Sequence, residues 1–461
     1  MSYSPQLRTA VLLTGNGTGG AYHAGVLRAL HEAGVKIDVM SGRGVGIVCA
    51  LFGAIDAGAK TWEDGGVWRR RPAVRMYEWR GALRWAAAIA IAGVAILAFP
   101  LLVLATGLVA YPLGFLVQMI NVDLGLRLAS AYTEIVGYAF SADALPTVVP
   151  RLVMLCFTGA FAVLALAAYR VRPVPATLAS GRDGRSRGHR DRGRWWARII
   201  GAPWSTEPGL RHVRATMWQL FQGPVRAKEP PAPDLSRRYA ELLFENLGQP
   251  GFRELIVTTL DLETRTDLVF AAIAEPRRQT FFQRGRGDLV DLSGIGRSQI
   301  LDALAAALAL PVLTEPHLIA FSPESYWKGE AHRICDRIGA AARLLEELAA
   351  AGVDQVVVVC PDPDRSAPHR LSKPTGSLRS RVAEQIAAAE TTGVRDAVAL
   401  HKKRFKGLFL IQPSHNPIGP LDFEGTYDER SDRYQSLGEL MDRGYEDAYR
   451  QFIEPVVGGA D

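Results

Sequence analysis

The opening of the chain alternates short apolar runs with glycine-rich turns. Thr9 to Leu13 is an uninterrupted apolar run that predicts a buried strand, and Gly15 to Gly20 predicts the turn after it. Ala21 to Ala33 carries Ala24, Val26, Leu27 and Leu30 at helical spacing and stops at Gly34. Val35 to Met40 reads as a second strand, and Gly46 to Ala57 as a second helix, small and apolar enough to be buried. A strand–turn–helix unit repeated in this order calls for a mainly parallel sheet with helices packed on it.

The same alternation resumes beyond residue 234. Arg237 to Leu247 predicts a helix, and Glu254–Leu260 and Asp267–Ala274 predict strands. Further helices are expected over Ser298–Leu308, Ile338–Ala351 and Leu378–Thr391. Further strands are expected over His317–Phe321, Gln355–Cys360 and Gly407–Gln412. Leu437, Met441, Tyr445, Ala448 and Phe452 form a late amphipathic stripe.

Between the two halves the pattern changes kind. Trp85 to Ile120 contains no charged residue, and Val148 to Tyr169 contains only Arg151. Such runs are long enough to cross a hydrocarbon core that needs about 20 residues. Two spans, about 85–111 and 148–169, are expected within an insert covering 61–170. Arginines 69, 70, 71, 75, 80 and 84 precede the first run, and nine arginines against two aspartates occupy 170–198 after the second. The connection between the runs has no positive excess, so the positive-inside rule places both flanks in the cytoplasm. The expectation is a multi-pass membrane protein with a cytoplasmic α/β domain formed by 1–60 and 236–461. Residues 171–235 are read as an arginine-rich juxtamembrane linker able to approach anionic headgroups.

The formal charge of +6 is concentrated in that linker, which argues against a nucleic-acid partner. Four widely separated cysteines, 49, 156, 335 and 360, fit neither a disulfide framework nor a zinc site. No metal and no cofactor is expected, and the sequence leaves the oligomeric state open.

Two turns carry the candidate chemistry. Gly15-Asn16-Gly17-Thr18-Gly19-Gly20 stands between a strand and a helix, where its main-chain N–H groups suit an oxyanion or another anion. Gly42-Arg43-Gly44-Val45-Gly46 has the flanking glycines of a nucleophile elbow. The first turn also satisfies a loose dinucleotide fingerprint, Gly15-x-Gly17-x-x-Gly20, with Asp38 and Arg43 as candidate ribose and 2′-phosphate contacts. That makes a nucleotide-binding membrane protein a third reading.

With those residues in view, the chain resembles the patatin-like phospholipases, lipid acyl hydrolases that use a serine–aspartate dyad. Leu13 to Leu30 matches the family's oxyanion block, and Gly42 to Gly58 its nucleophile block. Ala303 to Pro316 resembles the middle block. Tyr326 to Glu330, followed by Ile338 to Cys360, is aligned by spacing with the aspartate block. The resemblance implies a three-layer α/β domain with a mainly parallel sheet, interrupted by the transmembrane insert.

It also implies a lost activity. Gly44 stands where the family carries serine, and Lys328 where it carries aspartate, with Asp336 the alternative if the spacing slips. Gly19 replaces a basic residue common in the family. Among stand-in groups, Ser41 is expected to point away from the turn, Thr14 and Thr18 to form it, and His23 to lie on a helix surface or at its cap. His332 is a candidate base without an evident partner. The leading expectation is a pseudoenzyme that binds membrane lipid, an anionic headgroup or a fatty acid without hydrolysing it, with Lys328 and Arg43 facing the glycine turn. The rival is an active acyl hydrolase with an unconventional nucleophile.

Overall fold

A computed structural model describes residues 3–70, 73, 76–170, 201–222, 228–284, 287–363, 378–413, 426–428 and 433–458. Most of the 171–235 linker, including residues 171–200, lies outside the described residues. The described chain divides into two compact units, one holding 3–78 and 204 onward, the other 79–170 with 201–203.

The first unit opens with β1 (Thr9–Leu13), α1 (Gly19–Glu32), β2 (Val39–Gly42) and α2 (Gly46–Ala54). The second unit contributes α3 (Gly81–Ala105), α4 (Gly107–Ile120), α5 (Val122–Ala139) and α6 (Val149–Arg170). Back in the first unit follow α7 (Glu207–Phe221), α8 (Ala232–Asn246), β3 (Glu254–Asp261), β4 (Thr266–Ala272), α9 (Arg277–Phe282), β5 (Leu289–Asp291) and α10 (Ile300–Leu308). The unit continues with β6 (His317–Ala320), β7 (Ala331–Cys335), α11 (Ala341–Ala350), β8 (Gln355–Val359), α12 (Leu378–His401), β9 (Gly407–Ile411) and α13 (Leu437–Ala448).

The main sheet runs β9-β8-β1-β2-β3-β4-β5, with β7 joining β3 and β6 joining β7. Its centre is parallel: Ala10 faces Val39 on one side and Val356 on the other. β4 and β7 run antiparallel to β3. The fold is thus mixed α/β around a mostly parallel sheet. Side chains alternate across it, so Val11 and Leu13 enter one apolar core with α1, α2 and α13, while Ala10 and Leu12 enter a second with α11 and α12. Leu12 and Leu13 are fully enclosed, each worth about 1.5–3 kcal/mol of burial.

β2 begins four residues later than the apolar run suggested. The main chain at Asp38 donates to Thr9 O at 2.8 Å, while the Asp38 carboxylate accepts from Thr9 N at 2.9 Å. That exchange sets the register before the ladder starts at Val39. The α/β unit also takes more chain than expected on both sides of the insert. α7, assigned to the linker from sequence, buries His212, Val213 and Met217 in the core of the first unit. α12 extends ten residues past Thr391.

In the second unit, α3 packs on α6 and α4 on α5. Gly81–Ile120 and Ala144–Tyr169 are long and apolar enough to cross a membrane, with mean hydropathies of 2.7 and 2.2 and only 11% and 6% of the most apolar windows buried. The first run is not one straight helix to residue 111. It breaks at Thr106–Gly107, where the Tyr132 hydroxyl donates to Leu104 O at 2.9 Å and packs against the bare Cα of Gly107. The charged connection contains the amphipathic α5, capped by the Asn121 side chain accepting from Leu124 N.

Candidate functional site

Both glycine-rich turns lie at the C-terminal ends of neighbouring parallel strands, so the sheet brings them together. Arg43 N donates to Leu13 O at 3.1 Å and Val45 N to Gly15 O at 3.0 Å, locking one turn to the other. Gly44 has φ +53°, the left-handed backbone that an elbow requires. A Cβ at Gly44 would lie 2.3 Å from Gly15 O and 2.7 Å from Asn16 Oδ1. No side chain fits there without moving the first turn. Gly46 is equally tight, since a Cβ would sit 2.3 Å from Leu13 O, and at Gly42 it would be 2.9 Å from the Gly46 carbonyl carbon. The elbow is therefore present in shape, and closed to a nucleophile.

The residue that faces it is Asp336, directly after β7. The Gly44 N–H lies near its carboxylate and favours the charged form. Arg43 grips the same carboxylate with two nitrogens, Nε at 3.1 Å from Oδ1 and Nη2 on Oδ2. Its Nη1 meets Glu390 of α12, and Nη2 also donates to Asn16 Oδ1 at 3.1 Å. Arg43 and Asp336 are completely buried and Glu390 is 1% exposed at the side chain. Burial alone would depress the Arg43 guanidinium, but Asp336 and Glu390 together overcome this and hold its pKa above the ordinary range. Burial raises Asp336 to about 6, against the opposing pull of Arg43, and Glu390 adds to the rise.

Glu390 also reaches the first turn. Its Oε1 accepts from Gly15 N at 3.2 Å and its Oε2 from Gly339 N at 2.9 Å. A carboxylate of the protein itself thus occupies the amide nest in which an external anion was expected. The rest of the turn is covered by packing. Pro361 lies against Gly15 and Gly19, and the Trp68 ring against Gly20, where Cβ atoms would come within 2.3, 2.8 and 1.9 Å. Asn16, Gly17 and Thr18 are buried with them.

Two expectations for this site are corrected. Lys328 does not face the turns: it is an exposed residue in the β6–β7 loop, with φ +48°. Arg43 faces them, but as the centre of a buried ion cluster with Asp336 and Glu390 rather than as a free cation. β7 stands between Lys328 and Asp336, in a stretch whose sequence has no apolar run. Ala331-His332-Arg333-Ile334-Cys335 buries His332, Ile334 and Cys335 along the strand. The available signal for a buried acid here was a strand followed directly by Asp336-Arg337-Ile338-Gly339.

The stand-in groups are also placed. Ser41 pairs in register with Leu12 and Ile256, both in the core beneath α11 and α12, so its hydroxyl lies on the far face of β2 and is buried without a partner. His23 is not on a helix surface. It is fully enclosed, its ring nitrogens lack a well-formed hydrogen bond, and burial pushes its pKa down to about 3. His23 lies near Thr14 and Arg43, and α13 crosses α1 at backbone contact, with Gly25 against Met441 O and Gly444 against Tyr22 O. His332 has the partner that sequence did not supply: Nδ1 is 2.6 Å from Asp261 Oδ2, and Nε2 is 3.4 Å from Glu330. Burial opposes its protonation, but the two carboxylates win and raise its pKa. Asp38, proposed for a ribose, is engaged by Thr9 N and Lys36 at the opposite end of β2 from the glycine turns. The four cysteines are free thiols, with 49, 335 and 360 buried.

No family model matches the chain, and no curated protein matches it. Among solved structures, VipD from Legionella pneumophila aligns over 99% of this chain and 68% of its own, at 12% identity and a TM-score of 0.35. Likeness of that degree decides neither fold family nor activity.

Proposed function

We propose that the chain is a membrane-anchored, patatin-like protein without acyl hydrolase activity, acting at the membrane by binding rather than by turnover. The observation that carries the reading is the closure of the elbow. An attacking side chain at position 44 would overlap Gly15 O, and the carboxylate beside it is already held by Arg43. Covalent catalysis needs a nucleophile within reach of a base, and here the base position has no hydroxyl to serve. Gly15 and Glu390 further weaken an oxyanion role, since that amide already has an acceptor.

Ser41 and His332, the groups that a working hydrolase would need, lie on the far face of β2 and beside Asp261 respectively. They support no unconventional active site. The membrane part rests on the two long apolar runs and their sparse burial. The charge pattern around them favours two spans with the α/β unit in the cytoplasm. A lipid headgroup or fatty acid remains the class of ligand proposed, though it reaches the Gly15 amide only by displacing Glu390.

The test combines fractionation with activity. Full-length protein expressed in cells should resist extraction by alkaline carbonate and dissolve in detergent. The detergent-solubilised protein should neither react with a fluorophosphonate probe nor hydrolyse short acyl esters or phospholipids. Labelling that disappears in Ser41→Ala would overturn the non-hydrolytic reading, and release by carbonate would overturn the membrane reading.

A further inference from the structure

A second concave site lies at the opposite end of the sheet from the glycine turns, where β1, β2 and β3 begin. It is a half-open cleft of about 420 Å³, within the range of small-ligand sites. Arg8, Lys36, Arg253 and Arg277 line it, against only two carboxylates, Asp38 and Glu254. Both acids are oversubscribed. Glu254 is shared by Arg8, by Arg277 at 3.0 Å and by Ala274 N at 3.1 Å. Asp38 is shared by Lys36 at 3.1 Å and Thr9 N.

Arg253 donates to main-chain carbonyls, Ile37 O at 3.2 Å, Gly251 O at 3.0 Å and Gly53 O, and makes no direct ion pair, although Asp56 and Asp38 are close enough to act on its charge. The Nε of Arg8 is buried without an acceptor. The lining itself carries four cations against two committed acids, with Asp56 and Asp354 just outside it beside Arg253 and Arg8. Burial pushes both Arg8 and Arg253 below their ordinary pKa, against the pull of Glu254 on Arg8 and of Asp56 and Asp38 on Arg253.

We propose that this cleft binds a phosphate monoester, with Arg8, Lys36, Arg253 and Arg277 supplying the positive surface. The unbalanced charge of the lining matches a dianion, and guanidinium forks suit phosphate oxygens better than a single point charge does. The phosphate comes from a soluble metabolite or from a lipid headgroup. The site shares no residue with the elbow, so the proposal stands apart from the loss of hydrolysis.

The experiment uses full-length protein in detergent and follows its melting temperature. Glycerol 3-phosphate is compared with sodium chloride at matched ionic strength. Separately, protein in bilayer discs containing phosphatidic acid is compared with discs of phosphatidylcholine alone. Stabilisation by glycerol 3-phosphate identifies a soluble source, and stabilisation by phosphatidic acid alone identifies a headgroup. The double variant K36Q/R277Q changes two partly exposed side chains, and its melting curve without ligand should match the parent. Its affinity for the stabilising phosphate should fall at least about tenfold. Equal stabilisation by chloride, no stabilisation by either phosphate, or unchanged affinity in K36Q/R277Q would overturn the proposal.

Discussion

Replacing Asp336 by asparagine should expose an acid sensitivity that the parent protein conceals. Asp336 titrates near 6 in the fold against an ordinary 3.8, so between these values the folded chain holds a proton that the unfolded chain has lost. Its contribution is complete below 3.8 and is lost as pH rises towards 6, at most about 3 kcal/mol. His23 behaves in the opposite sense. Its pKa falls from 6.5 to about 3, so its contribution is present above 6.5 and is lost as pH drops towards 3.

Between pH 4 and 6 the folded chain therefore carries the Asp336 proton and the unfolded chain the His23 proton. Their slopes cancel. Asp336→Asn preserves an acceptor for Arg43 and the Arg43–Glu390 pair, but it removes one of the two slopes. The variant should lose about 2–3 kcal/mol more than the parent on going from pH 6 to pH 4. Denaturant or thermal unfolding of the two proteins at pH 4, 5, 6 and 7 measures this difference, and every other titrating group is common to both. Parallel profiles would refute the assignment of a raised Asp336.

Other substitutions test the geometry directly. Gly44→Ser should cost about 2–4 kcal/mol, from left-handed backbone strain and the overlap with Gly15 O, and should gain no esterase activity; a stable, active variant would sink the closed-elbow account. Arg43→Met strands Asp336 and Glu390 as buried charges and should cost about 3–5 kcal/mol. Thermal melting should show partial recovery in R43M/D336N/E390Q, whereas equal melting of R43M and the parent would contradict a buried ion cluster. Gly25→Ala places a methyl 1.8 Å from Met441 O and should lower stability by about 1–3 kcal/mol, read as earlier proteolysis of α13; an unchanged digestion pattern would argue against the close helix crossing.

The elements with strong periodicity were legible from sequence, because burial on one face or two leaves a pattern in the chain. β1, α2, β8 and α11 are such cases, and the elbow announced itself through Gly42 and Gly46. What escaped depended on partners distant in sequence. Glu390 looks like one acid among many on an alanine-rich helix, yet α12 carries it to Gly15 and Arg43, 375 and 347 residues away. Asp336 follows a five-residue strand that is hard to read because His332 and Arg333 interrupt its apolar positions. The packing of α1 on α13 depends on Gly25 and Gly444 making room for two backbones. Local spacing holds no record of these meetings.

The position of β1 sets a timetable for synthesis. Its two neighbours are β2, made almost at once, and β8, whose Val359 pairs with Leu13. At roughly 5–20 residues per second, about 350 residues of intervening chain occupy the ribosome for some 20–70 seconds. Throughout that interval one edge of β1 has no native partner, and the apolar insert emerges within it. The nascent N-terminal segment thus needs a guardian, or a delay in its own collapse, before the sheet can close around it.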